Sequence, residues 1–255
     1  MASQIDMKGK VVIVTGGSRG VGRGITICYL RAGAEVVICG RNEPEEPVSA
    51  DGRAAHFVKA NVRDPEGLSA IFDKALEVGG RVDVLVNNAG GTPPGDSATA
   101  SPRFQSAIVD LNLVAPLNAA SAAFQIMEKQ PGGGSIIFIS SVVSNDPGPS
   151  TPAYCAAKAG IDALSISLAK RFAPHVRVNT VTPGLIATEQ SELFYGEDEG
   201  ASIVREIPMQ RMGRPEDIGK ACLLLSDPEL AGWITGANLG CHGGLQRPIL
   251  TPGSE

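Results

Sequence analysis

With 255 residues, 43% of them hydrophobic, the chain is long enough to bury one substantial core, which predicts a single α/β domain over residues 1–255. A net charge of −5 without a dense Lys/Arg cluster offers no basic surface to a phosphate backbone or an anionic bilayer, so neither nucleic acid nor a membrane is expected as a partner. The opening "MASQIDMKGK" lacks the apolar run of a signal peptide and no later run reads as long enough to span a bilayer, which makes the cytoplasm the expected location.

"KVVIVTG" (10–16) is the first predicted strand, a short β-rich run ending in glycine. "GVGRGITICYLRAGA" follows with Ile25, Cys28 and Tyr29 at helical spacing and stops at Gly33, the pattern of an amphipathic helix with a glycine C-cap. "EVVICG" (35–40) is the next strand, and 41–53, with three glutamates and two prolines, reads as a loop or at most one turn. Further strands at 54–59, 82–86, 135–140, 175–181 and 237–241 alternate with helical stretches near 65–78, 102–129, 153–172 and 215–226. Such alternation implies parallel βαβ units: a doubly wound, three-layer sheet of about seven strands that binds ligands at the strands' carboxyl ends. Segment 188–213 is charged, loosely periodic and too long for an ordinary connection, and reads as a mobile substrate lid.

The cysteines at 28, 39, 155, 222 and 241 include no C-x-x-C pair and read as buried thiols, while His56, His175 and His242 lack ligand spacing, so no metal site is expected.

A strand, then "TGGSRGVG" (15–22), then a helix is the setting that gives a glycine pattern meaning. Gly16 permits the tight turn, Gly20 lets backbone approach a ligand, and Gly22 lets the helix pack while its N-terminal N–H groups face a pyrophosphate; Ser18, Arg19 and Val21 fill the loop. Further on, "STPAYCAAKAG" (150–160) keeps one phenol and one ammonium among small residues, Tyr154 and Lys158, four apart and so on one helix face. A phenol with a pKa of about 10 is a poor base at neutral pH and gains from a nearby cation that stabilises its phenolate.

These motifs, with "NNAG" (87–90) and Ser141, resemble the short-chain dehydrogenase/reductase family in its single-domain form, over nearly the whole chain. Asn112 in "DLNLVAP", "PGLIAT" (183–188) and "ITGANLGCHGG" (234–244) extend the resemblance. It implies a Rossmann-type sheet, a nicotinamide cofactor and hydride transfer to or from a carbonyl. In that frame Tyr154 is the candidate general acid in reduction and base in oxidation, and Lys158 also holds the nicotinamide ribose. Ser141, thirteen residues before Tyr154, would donate to the substrate oxygen, with Ser140 and Ser144 as weaker rivals. Asn112 is implied as the fourth catalytic member, bending its helix around a water that relays protons to Lys158.

The resemblance places Asn61 and Val62 against the adenine, Asn88, Ala89 and Gly90 beside the adenosine ribose, and Pro183, Gly184, Ile186 and Thr188 around the nicotinamide. Cofactor choice is argued from charge: Gly40 stands where the family puts an acid for the ribose 2′-OH, and Arg41 and Arg19 could clamp a 2′-phosphate, which favours NADP(H) over NAD(H). The alternative leaves both arginines solvated, with Glu43 or Glu45 reaching the ribose. The substrate is expected to be a small carbonyl compound or alcohol (EC 1.1.1.-). A 3-oxoacyl thioester reductase and a non-catalytic NADP(H)-binding regulator are the rivals, the latter disfavoured by the full Ser, Tyr, Lys and Asn set. By the same resemblance a homotetramer or homodimer would form through 102–129 and 153–172.

Overall fold

The computed structural model describes residues 5–93, 99–149, 151–189 and 204–245. Its first strand, β1 (Val11–Thr15), is β-branched throughout and buried on both faces, as an interior strand of a parallel sheet requires. The loop after it feeds α1 (Gly20–Arg31), which ends with Gly33 at φ +93° and turns into β2 (Glu35–Gly40). A two-stranded hairpin, β3 (Ser49–Ala50) and β4 (Arg53–Ala54), precedes β5 (His56–Lys59) and α2 (Pro65–Gly79). Then come β6 (Val84–Asn87), α3 (Pro102–Val109), a π-turn at Asp110–Val114, α4 (Ala115–Met127) and β7 (Gly134–Ile139). The described chain closes with α5 (Pro152–Phe172), β8 (Val176–Pro183), α6 (Pro215–Ser226), α7 (Pro228–Ala231) and β9 (Asn238–Cys241).

Seven of these strands form one parallel sheet in the order β5-β2-β1-β6-β7-β8-β9. The chain steps outward from β1 to β2 and β5, then returns to β1's other side at β6 and steps on to β9. That reversal opens a crevice at the carboxyl ends of β1 and β6. One apolar layer joins α1 and α6 to the sheet through residues such as Ile25, Leu30, Ile218 and Cys222; the other joins α2, α4 and α5 through Ile71, Ala123, Ile161 and Phe172. The fold is therefore the expected three-layer, doubly wound α/β arrangement. On the first face α1 and α6 meet closely because both carry glycine at the crossing: a Cβ at Gly24 would run into Pro215, and one at Gly219 would lie 2.6 Å from the Cys28 sulfur.

Three expectations need correction. Residues 41–53 are more than a loop, because Asp51 and Gly52 adopt φ +50° and +77°, a reversal that pairs Ser49 with Ala54, while Val48 is buried against the α1 layer. The stretch read as one helix at 102–129 is broken by the π-turn. Pro102–Met127 is also long and apolar enough to cross a membrane, which was expected of no stretch; Ala119, Ala120, Ala123 and Met127 pack it on the sheet, so its apolarity serves the core. Of the expected lid, 190–203 lies outside the described residues.

Candidate active site

The loop between β1 and α1 is shaped by what its residues lack. Gly16 and Gly20 sit at φ +66° and +51°, in the left-handed region, and a Cβ at Gly22 would strike the Gly16 carbonyl oxygen. The loop is braced from β6: the Asn88 amide nitrogen donates to the Thr15 and Gly16 carbonyls at 2.9 and 3.3 Å, and the Thr15 hydroxyl accepts the Asn88 and Ala89 N–H groups, both at 3.0 Å. The first turn of α1 thus presents its backbone N–H groups, with Arg19 as the exposed N-cap residue. One of them already meets an anionic group: the Gly20 N–H donates at 2.7 Å to the carboxylate of Glu189, 169 residues away. A cradle of this kind fits a pyrophosphate.

Cations border it. Arg19 and Arg41 are both exposed, and neither joins an ion pair among the described residues. Gly40 closes β2 against the loop, where a Cβ would lie 3.4 Å from the Ser18 hydroxyl. The Asn61 side-chain oxygen accepts the Arg63 N–H and Nε–H groups, each at 3.3 Å, while Val62 packs on the α2 layer.

The second half of the site gathers at Gly90 and Gly91, just past β6. Lys158 is 5% exposed on α5, its Nζ donating to the Ile139 carbonyl at 2.8 Å and lying 5.5 Å from the centre of the Tyr154 ring. Burial pushes the Lys158 ammonium down from 10.5 to about 8, with the Asp162 carboxylate one turn along opposing the shift. A Cβ at Gly90 would lie 2.7 Å from Asn112 Oδ1 and 3.4 Å from Lys158 Nζ, so these two side chains meet on the same glycine. Asn112 is 1% exposed and saturated by backbone: Oδ1 accepts the Gly91 N–H at 2.8 Å, and Nδ2 donates to the Gly91 and Ile108 carbonyls, both at 2.9 Å. The π-turn that interrupts the long helix is what turns Asn112 toward Gly91.

Ser141 follows β7 and caps the short 3₁₀ turn Val142–Ser144; its oxygen accepts the Val143 N–H at 3.4 Å, which leaves the hydroxyl proton to donate. Of its rivals, Ser140 donates to the Lys158 carbonyl at 3.4 Å, and the Ser144 oxygen is buried without a partner among the described residues. On the far side of the crevice, Pro183 ends β8, Gly184 follows it beside His242, Ile186 is buried, and Thr188 lies by Gly20. A bridge between Ile186 and Gly213 closes the neck of the 188–213 segment, with Ala187 N–H to Gly213 oxygen and Gly213 N–H to Leu185 oxygen both at 2.9 Å.

Thr15 and Glu189 were missed in the sequence. Thr15 could have been found from its place between strand and glycine loop; nothing local marks Glu189, because its partner comes from the other end of the chain.

Compared with known proteins, residues 16–246 match a family model described as enoyl-(acyl carrier protein) reductase. A glucose 1-dehydrogenase of Bacillus subtilis is 34% identical over 252 residues, covering 94% of this chain and 96% of that one. A 3-oxoacyl-[acyl-carrier-protein] reductase of Haemophilus influenzae is 36% identical, covering 94% and 99%. Among solved structures, the ligand-free aldohexose dehydrogenase of Thermoplasma acidophilum superposes with a TM-score of 0.87 at 32% identity, covering 98% and 100%.

Proposed function

The chain belongs to the short-chain dehydrogenase/reductase family of oxidoreductases, and from that premise we propose that it moves a hydride between NADP(H) and a carbonyl or secondary-alcohol substrate. The observation that carries this is the meeting of Asn112 and Lys158 on Gly90, with Tyr154 one helical turn away, in the same crevice as the anion-binding glycine loop.

The family's nicotinamide, when bound, gives or takes the hydride. Tyr154 gives the carbonyl oxygen its proton in reduction and recovers it in oxidation. Lys158, held to Ile139 by one of its protons, keeps the others for the phenol's oxygen and a ribose hydroxyl, and its charge favours the phenolate. Ser141 donates its free proton to the same substrate oxygen. Asn112 fixes the Gly90–Gly91 backbone at which Lys158 is aimed. Arg19 and Arg41 receive the 2′-phosphate, supported by their lack of ion-pair partners among the described residues, and the glycine loop receives the pyrophosphate. Asn88 acts by bracing that loop, with Ala89 and Gly90 carrying the chain past the adenosine ribose.

The substrate reading is a small carbonyl compound or alcohol, supported by relatives named for glucose and aldohexose. A 3-oxoacyl thioester is the second reading, favoured by the Haemophilus relative. We further propose that 188–213 covers the substrate and that a second copy covers the outer faces of the π-turn, α4 and α5, where Val114 of the π-turn and Ile166 of α5 are 40% and 47% exposed. A panel of aldoses, hydroxysteroids and 3-oxoacyl thioesters, assayed with NADPH and NADH side by side, tests the reading. We expect at least about tenfold higher kcat/KM with NADPH, one charge-assisted pair's worth; equal rates would remove the arginine argument, and no turnover with either cofactor would remove the enzyme reading.

A further inference from the structure

The acceptor at the glycine loop is an anion supplied by the chain itself. Glu189 reaches back from just beyond the neck of the 188–213 segment to the Gly20 N–H, at 2.7 Å. Gly20 has one N–H, and it belongs to the cradle assigned to the pyrophosphate, so two anions cannot both take it. The two limbs of the segment are held differently. The returning limb is fixed to the body of the protein: Ile207 is 2% exposed and packs on Gly243, the Met209 N–H donates to the Gly243 carbonyl at 3.1 Å, and Arg211 pairs with Asp217 at 2.7 Å. The outgoing limb, past Ala187, is tied by Glu189 to the cofactor cradle.

We propose that Glu189 is the cradle's own counter-anion, a carboxylate that must leave when a pyrophosphate enters, so that it sets cofactor affinity and couples cofactor arrival to the position of Thr188–Glu189. This rests on the nucleotide-binding reading above. It gives one residue two opposed effects: in the free protein the carboxylate stabilises the N-terminus of α1, and in binding it competes.

The Glu189→Gln variant keeps the shape and removes the charge. Calorimetric titrations of the full chain with NADPH, inorganic pyrophosphate and adenosine test it, with the melting temperature of the free protein as a second readout. NADPH and pyrophosphate should bind about two- to tenfold more tightly to the variant, adenosine should bind equally to both proteins, and the free variant should melt slightly lower. A merely structural role for Glu189 predicts the opposite sign, weaker NADPH binding together with the lower melting point. Unchanged or weaker NADPH binding, or an equal gain for adenosine, overturns the proposal. If wild type binds neither NADPH nor NADH, the nucleotide reading fails and this inference goes with it.

Discussion

The two halves of the crevice are built from opposite materials. At the glycine loop the working atoms are backbone N–H groups, and they are exposed by removing side chains; Gly22 has no room for a Cβ against Gly16. At Gly90–Gly91 the working atoms are side-chain ones, buried and held by bonds from Asn112 and Lys158 to backbone. The difference teaches that the loop has no group to delete, only space to fill, whereas the Gly90–Gly91 half, proposed as the catalytic one, has side-chain groups to delete. Substitutions should therefore separate binding from chemistry.

The sharpest separation is expected from Tyr154→Phe, which removes one oxygen from the catalytic half. Turnover should fall by about a hundredfold to ten-thousandfold, the usual worth of general acid catalysis. The NADPH dissociation constant and melting temperature should hold. A variant that turns over normally, or one that loses cofactor binding as well, breaks the comparison. Next in size, Gly22→Ala fills the space on the loop side. NADPH binding measured by fluorescence should weaken at least about tenfold, with about 1–3 kcal/mol lost in denaturant unfolding as the loop shifts. Retained affinity would mean that the loop tolerates a side chain there.

The effect most dependent on conditions concerns Lys158 and has a sign fixed by linkage. Its folded pKa of about 8 lies below the unfolded value of 10.5, so between those pH values the unfolded chain binds more protons and folding stability rises with pH. Below that window the buried charge costs roughly 3 kcal/mol. Lys158→Met should therefore lose turnover, yet its stability relative to wild type should be most favourable below pH 8 and decline toward pH 10.5. A pH-independent difference between the two unfolding curves would show that the ammonium is solvated.

How much of this was legible follows the same division. The glycine loop could be read because sterics dictate residue type there, and the Tyr154–Lys158 pair because i, i+4 spacing alone puts both on one helix face. The β3–β4 hairpin carried its signal in Asp51-Gly52, a dipeptide suited to two positive φ angles, but the prolines and glutamates before it argued louder for a loop. The π-turn was not legible: Asn is an indifferent helix former anywhere, and what selects the extra residue is a bond to Gly91 in another part of the chain. Nor was it legible that the Asn61 side-chain oxygen accepts from Arg63, two residues away.

The bridge between Ile186 and Gly213 turns what hangs from it into a cassette. Because both ends are stitched together at the sheet's rim, exchanging or lengthening the intervening stretch alters loop-closure entropy by only about 0.6 kcal/mol per doubling of length and leaves the strand register untouched. A chain with this neck can therefore take new sequence between its two ends without risking the scaffold.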